Sequence, residues 1–494
     1  MNFWHQVRLF VPALIAVYGL SLAPAQAQFY QQGPKLVGTG AVGPYNPIQG
    51  SSVSLSGDGN TALVGGIYDT QKDGAAWVFT RSAGVWSQQA KLVGAGIVGH
   101  NAFQGLSVSL SSDGNTALVG GPDDDGQVGA AWVFTRADAT WSQQAKLVPI
   151  DAVGVAGMGN SSSLASDGNT AIVGGPGDDN GVGAAWVFTR SPNGTWTQQA
   201  KLVGTGAIGN AVQGYSTSIS GDGKTAIVGG TFDNNQIVTA PGAAWVFARS
   251  ADGTWSQQAK LVGTGAVGNN AQQGFSVALS GDGSIAIVGG PYDDNQASSN
   301  GQGLGAAWVF TRSADGSWSQ QAKLVGTGAI GNPGQGSSVS LSGDGNTAVI
   351  GGPYDNLPVN GSVGVGAAWV FARSADGTWS QRTKLIGTGA IGDALQGNSV
   401  SLSADGSTVI VGGPYDNLGY LNRSYGVGAA WVFAPFAGTP GAANCVGAST
   451  QTLVREFGGL NAAAAGTGFS SISALQNAIL MYCDGSGQVA STSP

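Results

Sequence analysis

Aspartate is the residue type best placed to do chemistry in this chain, because it recurs in short acidic clusters within glycine-rich loops. Calcium takes six to eight oxygen ligands, often from closely spaced carboxylates and carbonyls. No cluster has the D-x-D-x-D-G spacing of a calcium loop, so solvated turn residues and calcium ligands both remain open. The candidate metal ligands are Asp123, Asp124, Asp125, Asp178, Asp179, Asp293 and Asp294, with Asp355 and Asp416 standing alone in related loops.

Tyrosines accompany the same loops and form a second candidate site. Aromatic side chains combine a large apolar face with a polar tip, so a row of them can stack on a ligand such as a sugar ring. The candidate ligand-binding residues are Tyr292, Tyr354, Tyr415, Tyr420 and Tyr425.

Catalytic side chains are scarce, and the sequence predicts a protein that is not an enzyme. After the first 27 residues His100 is the only histidine, and Cys445 and Cys483 are the only cysteines. No set of nucleophile, base and orienting group is visible. An Asp-based hydrolase remains an alternative, because a sequence does not show which carboxylates converge. The net charge of −8 argues against a nucleic-acid partner, which would need a basic surface.

Three phrases repeat along the chain and set its organisation. The motif [SA]-x-D-G-x-T/I-x-x-x-G-G occurs seven times, GAAWVF occurs seven times, and W-[ST]-Q-[QR]-x-K-L occurs six times. The missing seventh copy of the last phrase is the opening segment 28–37, in which Tyr30 lies near the place of the Trp and Lys35 matches the Lys.

Each unit divides into four short segments, which we name strands A to D. In the fifth unit they are 275–280, 284–290, 305–313 and 318–326. They are rich in β-branched and aromatic residues and are bounded by Gly, Asp and Asn, which is typical of strands. The Asp-Gly pairs between A and B and between C and D predict tight primed hairpin turns.

Seven such units predict an all-β, seven-bladed β-propeller. The last unit lacks strand D, and the opening segment supplies one. We therefore expect residues 28–37 to lie beside strand C around Trp431 and to close the ring. The Trp of each GAAWVF is expected to pack between blades, and the repeated Arg and Lys residues are expected to be structural.

Strand direction alternates, so A–B and C–D turns lie on one face, and B–C and D–A loops lie on the other. The first face carries short, uniform turns, and the second carries long loops of varied length. Because variable loops on a rigid scaffold usually carry binding, we place any ligand site on the second face, toward blades four to seven.

The stretches "QGFSVALSGDGSIAIVGGPYDD" (273–294) and "GAAWVFTRSADGSWSQQAKLV" (305–325) resemble the FG-GAP repeat in its bacterial form, which is similar to the repeat of the N-terminal propeller of integrin α chains. The resemblance covers residues 28–435. It implies a propeller closed by an N-terminal outer strand and, in some members, extracellular ligand binding or adhesion. Integrin-type repeats carry a calcium loop between strands A and B, where this chain has only "SGDGNT". No cofactor is therefore expected, with calcium kept as the alternative.

The two ends of the chain lie outside the repeats. Residues 1–27 predict a cleaved signal peptide, since an apolar run ends in an A-x-A site. Residues 436–448 predict a linker, and 449–484 a two-helix appendage that Ser470 caps. A Cys445–Cys483 disulfide is expected to clip the appendage. Residues 485–494 predict a disordered tail.

These features favour a secreted or cell-surface binding or adhesion module whose variable loops hold an extracellular protein. A glycan-binding, lectin-like propeller is the alternative. No membrane span is expected after signal cleavage, and the compartment is extracellular, cell-surface or periplasmic.

Overall fold

The computed structural model describes residues 29–234, 241–268, 270–294, 303–356, 364–417, 426–436, 445–467 and 469–483. Within them, 28 strands form seven antiparallel sheets of four strands each. The predicted seven-bladed propeller is confirmed.

Each blade runs from an inner strand A to an outer strand D. The A strands are β2 (Gln49–Leu55), β6 (Ser107–Leu110), β10 (Ser161–Leu164), β14 (Ser216–Ile219), β18 (Ser276–Leu279), β22 (Ser338–Leu341) and β26 (Ser399–Leu402). The B strands are β3 (Thr61–Gly66), β7 (Thr116–Gly121), β11 (Thr170–Gly175), β15 (Thr225–Gly230), β19 (Ile285–Gly290), β23 (Thr347–Gly352) and β27 (Val409–Gly413).

The C strands are β4 (Ala75–Ser82), β8 (Ala130–Ala137), β12 (Ala184–Arg190), β16 (Ala243–Arg249), β20 (Ala306–Arg312), β24 (Ala367–Arg373) and β28 (Ala429–Ala434). The D strands are β5 (Val85–Leu92), β9 (Thr140–Leu147), β13 (Trp196–Leu202), β17 (Trp255–Leu261), β21 (Trp318–Leu324), β25 (Trp379–Leu385) and, in the seventh blade, β1 (Tyr30–Gln31). The first three B–C loops contain short turns, α1 (Asp69–Lys72), α2 (Asp124–Gln127) and α3 (Asp178–Gly181).

Strand β1 closes the ring as predicted. Tyr30 pairs with Ala434, Gln31 pairs with Phe433, and Leu36 makes a further bridge to Ala430. In the fifth blade Thr311 pairs with Ser319 and Arg312 with Trp318, so Tyr30 occupies the place of Ser319. The half-buried Phe29, not Tyr30, therefore stands near the Trp position and packs on the core between blades six and seven.

The A–B turns differ from the predicted primed type. In the first blade the N–H of Gly59 donates to the C=O of Ser56 at 2.9 Å, and only the glycine of the Asp58-Gly59 pair has positive φ. The turn is a four-residue connection in which Asp58 accepts the Ser56 hydroxyl and the Asn60 N–H. Within the described chain, primed pairs occur in the first two C–D turns, at Ala83-Gly84 and Asp138-Ala139. The Asp-Gly pattern located the turns correctly, but their longer loops admit a type I geometry.

The GAAWVF tryptophans form the packing between blades. All seven are 0% exposed. The Trp132 indole contacts Gly94, where a Cβ would overlap the ring, and its Nε1–H donates to the C=O of Ala95 at 2.8 Å. Since both contacts belong to the loop arriving from the preceding blade, each Trp fixes the join between two blades.

Two sets of hydrogen bonds run around the central axis. In the first, a backbone N–H in six of the seven A–B turns donates to a C=O in the next turn, and the last of these bonds returns from Ala404 to Gly57 at 2.9 Å. In the second, a strand A serine accepts the N–H of a leucine or isoleucine in the next blade, as Ser218 does from Leu279 at 3.2 Å. The fifth blade has Ala278 at this serine position, facing Leu341.

Three C-terminal helices follow the propeller, where two were predicted: α4 (Cys445–Phe457), α5 (Leu460–Gly466) and α6 (Ile472–Cys483). Helix α4 begins within the segment predicted to be a linker. The α6 cap is Ser471 rather than Ser470, since its Oγ accepts the Ala474 N–H at 3.1 Å. The predicted Cys445–Cys483 disulfide is present.

Because β1 closes the ring, we expect substitutions at two adjacent residues to lower the free energy of unfolding by different amounts. Leu36 is 6% exposed and Val37 is 37% exposed. We expect Leu36→Ala to lower the free energy of unfolding by about 2–4 kcal/mol, because it leaves a cavity at the seam. Val37→Ala should cost less than about 1 kcal/mol. Denaturant titration of both variants tests this, and equal effects would contradict the packing of β1.

The inner serine pattern predicts a stabilising substitution. Ala278→Ser should supply the missing acceptor for the Leu341 N–H and raise the free energy of unfolding by about 0.5–1.5 kcal/mol. Ser218→Ala should lower it by a similar amount. A denaturation midpoint for Ala278→Ser at or below that of the parent protein would show that the serine bonds do not stabilise the ring.

Candidate functional site

One face of the propeller carries the B–C and D–A loops, and we call it the loop face. It is formed where each B–C loop meets the next D–A loop. Gly74 bridges to Gln104 of the next loop, and the same bridge recurs at every junction. The Gln104 amide is buried: its Oε1 accepts the Gly94 N–H at 2.6 Å, and its Nε2 donates to the Gly94 C=O at 3.0 Å. The Gln104 side chain therefore holds the loop by accepting and donating one hydrogen bond each, as a paired residue in a β-sheet does.

The third blade departs from this pattern in two linked positions. Met158 replaces the glutamine, and Pro149 replaces the glycine. Because proline has no N–H, an amide side chain there would lose its donor partner, and an apolar Met suits the site. Met158 is 0% exposed.

Buried ion pairs hold the B–C loops, and they correct the expectation of solvated aspartates. Asp124, Asp178 and Asp293 are at most 2% exposed. Asp124 Oδ2 lies 2.6 Å from Lys146 Nζ, and its Oδ1 accepts the Val98 N–H at 2.8 Å. The other six blades repeat this pair: Asp69–Lys91, Asp178–Lys201, Asp233–Lys260, Asp293–Lys323, Asp355–Lys384 and Asp416–Lys35.

The remaining candidate metal ligands do not join these buried carboxylates. Asp125 and Asp179 are exposed and have positive φ, while Asp294 is half-buried with positive φ. Burial raises the pKa of the half-buried Asp123. Within the part of the chain that the structure describes, no three His, Cys, Asp or Glu side chains gather closely enough to hold a metal ion. The calcium sites therefore stay a prediction. In each acidic cluster one carboxylate already forms an ion pair with a lysine.

An apolar belt surrounds the loop face, and sequence reasoning missed it. Seven aliphatic residues, one in each D–A loop, are 44% to 59% exposed: Val42, Val98, Val153, Ile208, Val267, Ile330 and Ile391. A second group follows strand D and is 37% to 46% exposed: Val37, Val93, Val148, Val203, Val262 and Ile386. We call these two groups the apolar belt. The sequence signal for the belt was the aliphatic residue that recurs in KLVG and GAVG. Without knowing how far these side chains are buried, one would assign them to the hydrophobic core.

The exposed apolar residues are concentrated on this face. Apart from Val85 at the start of β5 and three residues of the C-terminal helices, every exposed large hydrophobic side chain of the described chain lies in a D–A or B–C loop. The most exposed is Ile150, at 80%. Its N–H donates to Gln198 Oε1 at 3.0 Å, and Pro149 precedes it, so its backbone is held in place.

Tyr292, Tyr354 and Tyr415 come together near the axis of the loop face, joined by Tyr215 and Phe275. The Phe275 ring centroid lies 4.9 Å from that of Tyr215 and 6.4 Å from that of Tyr292. Burial and the neighbouring Tyr292 and Tyr354 raise the pKa of Tyr215 to about 12. Burial, Tyr292 and Tyr415 likewise raise the pKa of Tyr354. We call these five residues the tyrosine cluster.

The tyrosine cluster is half-buried, so its rings are shared between packing and a surface. Tyr215 and Phe275 lie directly before strand A, at a position that the sequence analysis did not single out. The candidates Tyr420 and Tyr425 lie outside the described residues.

The tryptophans that begin strand D lie toward the other face and have a structural role. The Arg136 guanidinium stacks over Trp141 at 5.3 Å, and the Trp141 Nε1–H donates to Gln89 Oε1 of the preceding blade at 2.9 Å. These rings therefore join neighbouring blades and are separate from the loop face.

The ion pairs predict a sharp contrast between two lysine substitutions. Lys384→Ala should lower the free energy of unfolding by about 2–4 kcal/mol, because Asp355 would stay buried without its cation. Lys224, whose Nζ lies 3.8 Å from Asp222, is 70% exposed, and Lys224→Ala should cost at most about 0.5 kcal/mol. Thermal and chemical denaturation would measure both, and equal costs would refute a structural role for the buried pairs.

The comparisons with known proteins agree with the geometry. Three segments match the family model described as FG-GAP repeat: residues 141–188, 255–310 and 318–371. Each match extends from a strand D into the strand C of the next blade, so the family's unit crosses the junction between blades. No curated protein matches the chain significantly.

Proposed function

Because the chain is an FG-GAP repeat β-propeller, we propose that it is a binding module that holds a protein partner on its loop face. The observation that carries this proposal is the apolar belt. Exposed apolar side chains that are grouped on one face mark an interaction site more often than scattered ones do, and here they are confined almost entirely to the loop face.

The way the belt is held also favours binding. The N–H of Val98 donates to the buried Asp124, and the C=O of Val98 accepts the Asp125 N–H at 3.0 Å. Equivalent aspartates accept the N–H groups of the other six D–A loop residues in the first group of the belt. A partner would therefore meet side chains that are already fixed, which reduces the entropy lost on association.

A glycan is the second candidate ligand, and the tyrosine cluster is the observation that favours it. Aromatic faces with nearby hydroxyl groups suit the alternating apolar and polar surfaces of a sugar. The cluster lies on blades four to seven, where the sequence shows the longest B–C loops. No reaction is proposed.

We place this activity outside the cytoplasm. The Cys445–Cys483 disulfide is typical of oxidising compartments, FG-GAP repeats are typically extracellular, and residues 1–27 have the pattern of a signal peptide. None of the helices that the structure describes is long and apolar enough to cross a membrane.

Two sets of substitutions separate the two ligands. On a glycan array, with calcium and with EDTA, selective spots that the Tyr292→Ala/Tyr354→Ala/Tyr415→Ala variant loses more than tenfold would support a glycan. Capture of a cell-surface protein that Val98→Ser/Val153→Ser/Ile208→Ser loses more than tenfold, with the tyrosine variant unaffected, would support a protein partner at the belt.

The matched control for both sets is Val85→Ser, which removes an exposed valine from the opposite face. It should leave either ligand bound. Binding that survives both loop-face variants but is lost in Val85→Ser would overturn the choice of face.

A further inference from the structure

The seventh blade has the weakest outer strand of the propeller. Strand β21 has seven residues and pairs with its neighbour at six positions, whereas β1 pairs at two. After β1, Gln32 and Leu36 each add a backbone hydrogen bond, to Val432 and to Ala430. Gly33 and Pro34 lie between these contacts, and Pro34 has no N–H for the ladder. No C–D turn connects β1 to β28, so the join rests on non-covalent contacts.

The chain departs from its own repeat at the two ends of this join. Tyr30 occupies the place of Ser319, which is exposed in the fifth blade. Phe436, two residues after Ala434, occupies the place of Ser313, which is also exposed. Tyr30 and Phe436 are 7% and 5% exposed. The aromatic replacements are therefore buried by something that the other blades lack.

The C-terminal helices bury them. The rings of Tyr30 and Phe436 stack at 3.8 Å, and Phe469 lies 5.5 Å from Tyr30. Both belong to one apolar cluster with residues from all three helices, including Leu453, Ala463 and Leu475.

Two hydrogen bonds add to this contact. The Tyr482 hydroxyl donates to the C=O of Phe436 at 3.0 Å, and the Thr388 hydroxyl donates to the C=O of Gly466 at 2.7 Å. Thr388 belongs to the loop between blades six and seven. Its N–H also donates to Gln31 Oε1 at 2.7 Å, so it contacts both β1 and the helices.

A disulfide joins the first and the last residue of the helical unit. The three helices have 13, 7 and 12 residues, which is short for helices that are not packed into a larger core. Cys445 begins α4 and Cys483 ends α6, and both are buried in the cluster that holds Tyr30. The bond thus closes the helical unit at its two ends.

We propose that α4, α5 and α6 form a clasp that holds β1 in the seventh blade, and that the Cys445–Cys483 bond keeps the clasp folded. The clasp replaces the covalent C–D turn that the other six blades possess. Without it, β1 leaves the sheet before any other strand of the propeller does.

Hydrogen exchange of the full chain tests this proposal, because two amides report on β1 directly. The N–H of Gln32 donates to Val432, and the N–H of Leu36 donates to Ala430, both at 2.7 Å. In Cys445→Ala/Cys483→Ala we expect a peptide covering 30–36 to exchange at least tenfold faster than in the parent protein. The peptide covering Trp318–Leu324 should be unchanged.

A second variant separates the clasp from a general effect of the disulfide. Tyr30→Ser restores the residue type of the other blades and keeps the β pairing, and it should accelerate exchange at 30–36 to a similar extent. Leu480→Ala, at a position that is 50% exposed on α6, is the matched control and should change nothing. Unchanged exchange at 30–36 in both test variants, or equal acceleration in every blade, would overturn the proposal.

Discussion

The last blade of a propeller must meet the first, and the contacts between the blades of this protein form one series that this closure completes. The hydrogen bonds between A–B turns, the serine bonds between inner strands and the tryptophan contacts with incoming loops each pass from one blade to the next. An open row would leave one blade at each end with an unsatisfied edge and an uncovered apolar face. Closure across β1 and β28 pairs that edge and covers that face at once.

The seven units differ where their surroundings differ, and several differences occur in pairs. Met158 and Pro149 change together. The glutamine that stands at the Met158 position in other blades accepts a backbone N–H, and Pro149 has none to donate. In blade six Arg382 replaces a glutamine that in several other blades accepts a bond from the next blade's Trp, and in some also from its Arg, as Gln89 does from Trp141 and Arg136. In blade seven the Arg and Trp donors are absent, because Pro435 stands near the place of the Arg and Phe29 near the place of the Trp. The repeat is therefore adjusted contact by contact.

The sequence was sufficient to predict the fold because local signals and the count of repeats agree. Seven GAAWVF strands, six complete D strands and one leading fragment leave little choice of topology. The functional face was harder to read. Lys146 and Asp124 look like solvent-exposed charges until the loop is folded and the pair is buried, and Val98 looks like a core residue until the loop presents it to solvent. Exposure depends on tertiary packing, so neither assignment could follow from residue type. The tyrosine cluster was predicted in part, because Tyr292, Tyr354 and Tyr415 share one repeat position, while Tyr215 and Phe275 reach it from another.

The order of the strands in the chain has a consequence for biosynthesis. Blades one to six each hold their four strands in one continuous stretch, so each can complete as soon as its own residues have left the ribosome or the export channel. The seventh has its outer strand at residue 30 and its other strands after residue 398. The outer strand must wait, unpaired, until almost the whole chain has been delivered. A prematurely terminated chain would keep the aromatic ring of Tyr30 uncovered, a feature that a chaperone or protease can recognise. Because the seventh blade is built from both ends of the chain, the propeller can finish folding only after the chain has been synthesised almost completely.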